Sequence, residues 1–577
     1  MSKILQSAYA SIGKIDEEYY AVVLGENKLK NFKLKIKLNY ENQNIVKWLS
    51  KYSQDNQIKF NAIGLCNLND AEKLATDLWL NLDIVPHILK TKVKNIKDVE
   101  QACWDTSLCY DEDHLVRVKM DAKRRIIPSY LTNLIKYQDF FSKQEFENII
   151  ELSKKFADKK LRLIFINATA NGGGVALMRH AMIRLYRLLG IDASWYVLKP
   201  NAEIFNITKK KFHNVLQGVA PHNCVLEKSE KRLYNSWISD NANFFKKIFK
   251  DSDVIVIDDP QPAGLIPYIK KINSQAKIFY RSHIQIRADL INTGQIQQFA
   301  TWKFLWQFIK LADVFISHPI SEFVPNTVKK NKLLYLPPST DPFDGLNKNL
   351  KKLDRDYYLS IFQKHLKANE QKPLDTKRPY IVQIARFDPS KGIHDVIESY
   401  RKLCCRLLKE GVPSKKLPQL VIAGNGSVDD PEGVAIYEQT SQMLQLDSYA
   451  NIVNDIKIAR LPHCDQLLNT LLDNSLIALQ LSHKEGFEFK VTEALMKSKP
   501  VIAYKAGGIP LQIRHGYSGF LVDIGNTSKV ADYAKKLILD KKYYKKISQQ
   551  AKNNINHDYL TLNNCAKWLD LALKFKK

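Results

Sequence analysis

The chain predicts an α/β protein made of two doubly wound halves that face a shared cleft, with a smaller α/β module in front of them. Three observations predict it. From about residue 161 onward, short apolar β-branched runs alternate with helix-period segments, as parallel βαβ units require. The runs fall into two sets, 161–167, 193–198, 253–258, 277–282 and 313–317, then 380–385, 419–423, 476–481, 500–504 and 519–522. Between the sets lies a Lys-rich polar stretch, 347–377, which reads as a helical connector. The first 155 residues differ: 32–40 (FKLKIKLNY) alternates with period two like an exposed antiparallel strand. There, 59–64 reads as a further strand and 71–82 as an amphipathic helix. The expected units are an accessory module at 1–155, a first half at 156–350 and a second half at 351–577.

Composition narrows the class. A chain of 577 residues is too long for one core. Its 45% hydrophobic and 25% charged residues, with 22 Gly and 21 Pro, exclude collagen-like, disordered and coiled-coil chains. No apolar run approaches the roughly 20 residues that span a bilayer. The amino terminus has no long apolar segment before its first acids, so the expectation is a cytoplasmic protein without a signal peptide. Eight scattered cysteines, with no CxxC and no His at metal-ligand spacing, fit reduced structural thiols and no metal. The net charge of +27 permits an anionic partner without naming one. Runs such as 209–211 and 541–546 read as solvated helix faces, and no RNP, helix-turn-helix or zinc-finger pattern accompanies them. Neither nucleic acid nor stable membrane insertion is expected.

Four segments carry chemistry. In LRLIFINATANGGGVALMRH a strand ends near Asn167, and Gly172, Gly173 and Gly174 lead into a helix at about Val175. Such glycines let backbone approach a ligand, and a helix N-terminus offers free N–H groups to a phosphate. The spacing is neither G-x-G-x-x-G nor Walker A, and a tight strand–helix turn explains it equally well. In QIARFDPSK, Arg386 leaves a strand end and Lys391 precedes a helix with Ser390 as its cap. A guanidinium and an ammonium so placed can bracket one phosphate. In LSHKEGFEFKVTEALMK, Glu485 follows a buried strand, Gly486 and Phe487 turn the chain, and Glu493 falls in the first turn of a helix starting near Val491. Both carboxylates can accept from sugar or ribose hydroxyls, although Glu493 serves equally as a helix stabiliser. His283, in FYRSHIQIR, leaves a strand of the first half at the same end, and Asp258, Asp259 and Gln261 close another with acceptors suited to hydroxyls. A lone His is more often structural. No Ser-His-Asp or Cys-His order stands out.

GGGVALMRH, DDPQPAGLIP, ARFDPSKG and EGFEFKVTEALMKSKPVIA…GGIP together resemble retaining GT-B glycosyltransferases of the family 4 type. WLNLDIVP, SWYVLKP, TKKKFHNVLQG, YRSHIQIRADL, FISHPISEFVP and DPFDGLNK narrow the likeness to the trehalose synthase group, in particular to fungal-type retaining trehalose phosphorylases. The resemblance implies two Rossmann-like domains, the first taking the acceptor and the second the donor and phosphate. It implies reversible phosphorolysis of α,α-trehalose to α-glucose 1-phosphate and glucose. A nucleotide-sugar-dependent trehalose synthase is the alternative, and a membrane-associated family 4 transferase a more distant one.

By the same resemblance Glu485, His283, Arg386 and Lys391 are catalytic, and Gly172, Gly173, Gly174, Arg386 and Lys391 hold phosphate. Backbone N–H groups of Gly486, Phe487, Glu488 and Phe489 touch the donor glucose, while Asp259 and Gln261 hold the acceptor. Glu493 holds ribose in nucleotide-using relatives, so its role here depends on the donor. Two positions depart from the family pattern: Glu488 stands where many family 4 enzymes carry a small residue, and Ala170–Asn171 where Pro–Gln is expected. No metal or organic cofactor is implied. The expected partners are sugars with phosphate or a nucleotide sugar, with a homodimer left open.

Overall fold

The computed structural model describes residues 6–25, 28–36, 41–90, 92–110, 117–171, 173–425 and 433–576. Within them, strands form three sheets. The first contains β1 (Gln6–Ile15), β2 (Glu18–Gly25), β3 (Lys28–Leu34), β4 (Ile58–Cys66) and β5 (Val85–Leu89), in the order β3-β2-β1-β4-β5. β1 to β3 run antiparallel, whereas β4 and β5 are parallel to β1. The strand expected at 32–40 begins earlier and ends at Leu34, and 37–40 lie outside the described residues. β1 escapes a periodicity search because it is covered on both faces and uses small residues there. Ser11 Oγ donates to Val99 O at 2.6 Å, and a Cβ on Gly13 would come within 2.9 Å of Val99. The helix 71–82 forms where expected, as Ala71–Leu82.

The second sheet contains β6 (Leu163–Asn167), β7 (Ala193–Val197), β8 (Val254–Asp258), β9 (Lys277–Arg281), β10 (Val314–Ser317) and β11 (Leu333–Tyr335). The third contains β12 (Tyr380–Ile384), β13 (Gln419–Asn425), β14 (Ile456–Leu461), β15 (Ile477–Gln480), β16 (Val501–Tyr504) and β17 (Gly519–Val522). Every pair in both is parallel. Their orders, β11-β10-β9-β8-β6-β7 and β14-β13-β12-β15-β16-β17, place a direction switch between β6 and β8 in one and between β12 and β15 in the other. Crevices form at the carboxyl ends of such neighbours, because the following loops leave in opposite directions. β11 and β14 were not among the expected strands: β11 is only three residues, and β14 (IKIARL) carries charges.

The connector holds a helix, Lys352–Ala368, and a buried charge cluster fastens the amino-terminal module against it. Lys59 meets Asp83 at 3.0 Å and Asp354 at 2.9 Å, and Lys348 meets Asp83 at 2.6 Å. Trp79 Nε1 donates to Phe343 O beside them. On the other side the module's tail pairs with β7, Ile126 N–H donating to Trp195 O at 2.8 Å. Two helices pack across the expected boundaries. Helix Lys143–Asp158 and the last helix, Thr561–Phe575, both enter the core of the second sheet, through Ile149, Phe156, Cys565, Trp568 and Leu569. The first of these was expected to belong mostly with the accessory module and the second with 351–577.

Candidate active site

A cavity of about 370 Å³ lies where the two switch points meet. Gly173, Gly174, Asp259, Gln261 and His283 line it from the first half; Arg386, Lys391, Glu485, Gly486, Phe487, Glu488, Phe489 and Glu493 line it from the second. Gly172 lies outside the described residues.

On the first half, β8 ends at Asp258, whose carboxylate takes Arg179 Nε at 2.8 Å and Nη2 at 2.6 Å and His283 Nε2 at 2.9 Å. Burial opposes its ionisation, yet Arg179 and His283 hold it down to about 2. Burial pushes the His283 imidazole down to about 4, so the ring is neutral. With an ionised Asp258 on Nε2, the proton sits there and Nδ1 is left to accept. A second histidine sets the backbone. Arg281 Nη2 donates to His318 Nδ1 at 3.3 Å, so His318 Nε2 carries the proton donated to His283 O at 2.9 Å. Asp259, at φ 66°, accepts His283 N–H at 2.7 Å, and burial raises its carboxyl to about 7.

The glycines have a further use. A Cβ on Gly174, the first residue of helix Gly174–Leu188, would sit 2.7 Å from Phe489, so this glycine admits the second half as well as a ligand. Gly486 shows the same logic from the other side, because its Cβ would lie 2.5 Å from His283 O.

On the second half, Arg386 follows β12, and a 3₁₀ turn, Pro389–Lys391, leads through left-handed Gly392 into helix Ile393–Lys409. Asp388, rather than the expected Ser390, caps the turn, accepting Ser390 N–H at 2.9 Å and Oγ–H at 2.6 Å. Ser390 instead lends its carbonyl to His483 N–H. Lys391 Nζ forms ion pairs with Glu485 Oε2 and, at 2.8 Å, with Glu488 Oε2. Burial pushes the Glu485 carboxyl up to about 7 despite that lysine, with Glu488 adding to the rise. Burial also works against Glu488, but Lys391 holds it down to about 2.

Glu493 departs from expectation. Its helix begins at Phe489, not near Val491, which puts Glu493 beyond the first turn and outside the reach of the dipole argument. It is 2% exposed, paired with Lys490 at 2.6 Å and accepting from Thr340 Oγ1 at 3.2 Å.

Sequence reasoning missed Lys209, His213 and Gln217, which line the same cavity. The run 209–211 reads as a solvated helix face, but Lys209 is 8% exposed and stands 3.9 Å from Asp388 across the cleft. A π-helix, Thr208–Asn214, turns it inward, a deformation often found at functional sites. The i, i+4, i+8 spacing of Lys209, His213 and Gln217 was the available signal. Among the described residues no group of three or more His, Cys, Asp or Glu is placed to hold a metal.

Two parallel doubly wound domains enclosing such a cleft define the GT-B class, and solved structures agree on the fold. A trehalose-6-phosphate synthase, OtsA, aligns with 72% of this chain and 99% of its own at TM-score 0.55 and 13% identity. An α,α-trehalose-phosphate synthase (UDP-forming) from Burkholderia vietnamiensis aligns with 72% of this chain and 97% of its own at 0.54 and 12%. Family models match along the sequence: "Trehalose phosphorylase-like, N-terminal domain" at 19–122, "Trehalose synthase, N-terminal domain" at 165–325 and "Glycosyl transferases group 1" at 366–554. The Grifola frondosa trehalose phosphorylase is 36% identical over 92% of this chain and 82% of its own length. That of Pleurotus pulmonarius is 42% identical over 80% of this chain, which spans 63% of the relative's length. The Pyrococcus horikoshii trehalose synthase is 32% identical over 75% of this chain and 94% of its own. The chain belongs to the trehalose phosphorylase and trehalose synthase family of group 1 glycosyltransferases.

Proposed function

We propose that the chain catalyses reversible, retaining phosphorolysis of α,α-trehalose to α-glucose 1-phosphate and glucose. The observation that carries this reading is the distribution of charge around one cleft. Arg386 and Lys391 stand at one side, and His283 with Asp259 at the other, in a volume at the lower end of ligand pockets.

In this reading phosphate sits between Arg386, Lys391 and the N-terminus of helix Gly174–Leu188. The donor glucose lies beside Glu485 and the Gly486–Phe489 backbone, and the departing glucose lies toward Asp259 and Gln261. The glycosidic C–O bond breaks with oxocarbenium character, stabilised by the neighbouring anion. One phosphate oxygen bonds to the anomeric carbon on the face the sugar leaves, and the phosphate O–H proton passes to the leaving oxygen. Configuration is retained and charge balances without an enzyme nucleophile, unlike the two-carboxylate scheme of retaining hydrolases. Neutral His283 offers Nδ1 as an acceptor to a sugar hydroxyl, with Asp258 and Arg179 fixing the ring.

Purified protein incubated with trehalose and inorganic phosphate should yield α-glucose 1-phosphate, read by phosphorus NMR. Absence of product would overturn the proposal. A second reading, trehalose synthesis from a nucleotide glucose, draws on the relatives named trehalose synthase. It requires trehalose from UDP- or ADP-glucose and glucose in the same preparation. Among the described residues no helix is long and apolar enough to cross a membrane, and all eight cysteines are free thiols.

A further inference from the structure

Glu488 adopts φ 74°, ψ 91°. That lies beyond the small left-handed well, at ψ of about 30–60°, that residues with a Cβ visit. Glycine would take this backbone without strain, and strain of this kind persists where the surroundings hold it in place. The side chain shows what holds it. One carboxylate oxygen accepts Lys391 Nζ at 2.8 Å and Gln480 Nε2 at 3.0 Å, and the other caps the following helix at Lys490 N, 3.3 Å away. A cap alone needs only a short Ser, Asp or Asn in ordinary extended backbone. The reach to Lys391 is what calls for a glutamate.

The Lys391 ammonium has three donors. Glu485 takes one and Glu488 another, which leaves one for a ligand in the cavity that Lys391 lines. We propose that Glu488 is a positioning residue for phosphate: its carboxylate draws Lys391 away from a simple pair with Glu485 and fixes the remaining N–H on the anion. This rests on the phosphorolysis reading above. With the negative charge held on Glu488, Glu485 is the member of the pair that can carry a proton beside a phosphate.

The test compares Glu488→Gly, which removes the carboxylate and relieves the backbone, with Glu488→Gln, which keeps the strain and removes the charge. Both should raise KM for inorganic phosphate by ~10-fold or more while KM for trehalose stays within about twofold. Glu488→Gly relieves the backbone but gives up the helix cap, so its Tm should stay within a few degrees of the wild type. Added to Lys391→Ala, Glu488→Gly should cause no further loss in phosphate affinity, measured by the phosphate-dependent rise in Tm. An unchanged phosphate KM, a parallel fall of Tm and kcat with both KM values intact, or additivity with Lys391→Ala would each overturn the assignment. Should Glu488→Gly fail to fold, the KM split in Glu488→Gln decides. A wild type without phosphate-dependent product overturns the phosphorolysis and this assignment with it, whereas a normal wild type with indifferent variants overturns the assignment alone.

Discussion

Two clusters of lysine and carboxylate withdrawn from water, one at a domain junction and one in the cleft, carry different sums of charge. Where the amino-terminal module meets the second half, Lys59 and Lys348 face Asp83 and Asp354, two against two. Tyr358 adds a hydrogen bond to Asp83 at 2.6 Å, and Lys348 lies 3.3 Å over the Trp79 ring. In the cleft one ammonium, Lys391, faces two carboxylates, Glu485 and Glu488. The first cluster is sealed, with Asp83 2% exposed; the second borders a cavity, with Glu485 15% exposed. Burial is costly for any charge, and a balanced, fully bonded set offsets it internally. An unbalanced set next to open volume is completed by a proton or a ligand. Charge balance and access, more than burial, separate the fastening from the site.

Breaking each cluster should therefore register in different observables. Lys391→Ala removes the cation proposed to meet phosphate, and kcat/KM for phosphate should fall by ~10³-fold, since charge-assisted contacts to a transferring group carry that scale. Cavity water and a proton on Glu485 can restore balance, so the loss should appear in rate before it appears in Tm. Near-normal turnover would remove Lys391 from the site. Asp83→Asn strips the fastening of the carboxylate both lysines share, and should destabilise by about 3–5 kcal/mol, as breaking one partner of a buried set does. Turnover by the molecules that remain folded should be unchanged. A variant that melts normally and loses activity would reverse the comparison. Lys209→Met is a milder break: it removes a cation 3.9 Å from Asp388, and should raise KM for phosphate by ~10-fold with little change in Tm.

The two clusters were also unequally legible. Lys391 and Glu485 could be read because the sheets have direction: each follows an apolar strand and precedes a glycine or a helix, and strand carboxyl ends are where ligands gather. His283 and Asp259 followed from the same rule. Lys209 did not, because nothing local distinguishes one lysine in TKKKFHN from a solvated one; its burial comes from a π-turn that tertiary packing selects. The fastening cluster was illegible for a similar reason. Lys59 and Asp354 are far apart in sequence and lie in segments that read as an ordinary strand and a polar connector. β1 was hidden by small residues that tolerate close packing on both faces, whereas the parallel strands β6, β8 and β12 announced themselves as continuous apolar runs.

Stability against pH gives the smallest of these effects and separates Glu485 from Asp83 without any substrate. Asp259 and Glu485 are pushed up to about 7, chiefly by burial, while an unfolded chain ionises such groups near 4. Below about 4 both states are protonated and the two groups contribute their full share. As pH rises from 4 toward 7 the unfolded chain releases protons that the folded chain retains, so this share is lost. Asp83 runs the other way: burial opposes its charge, but Lys348 and Lys59 hold it at about 2, so its contribution is complete above 4 and disappears as pH falls toward 2. Tm should accordingly decline gently between pH 4 and 7 and drop more steeply at the acid end, where Asp258 and Glu488 lose their charge together with Asp83. Glu485→Gln should flatten the gentle limb by about a degree or two and leave the acid limb in place. Asp83→Asn should do the opposite. If Glu485→Gln instead changed only the acid limb, Glu485 would be ionised throughout, and the cleft would be as self-contained as the fastening.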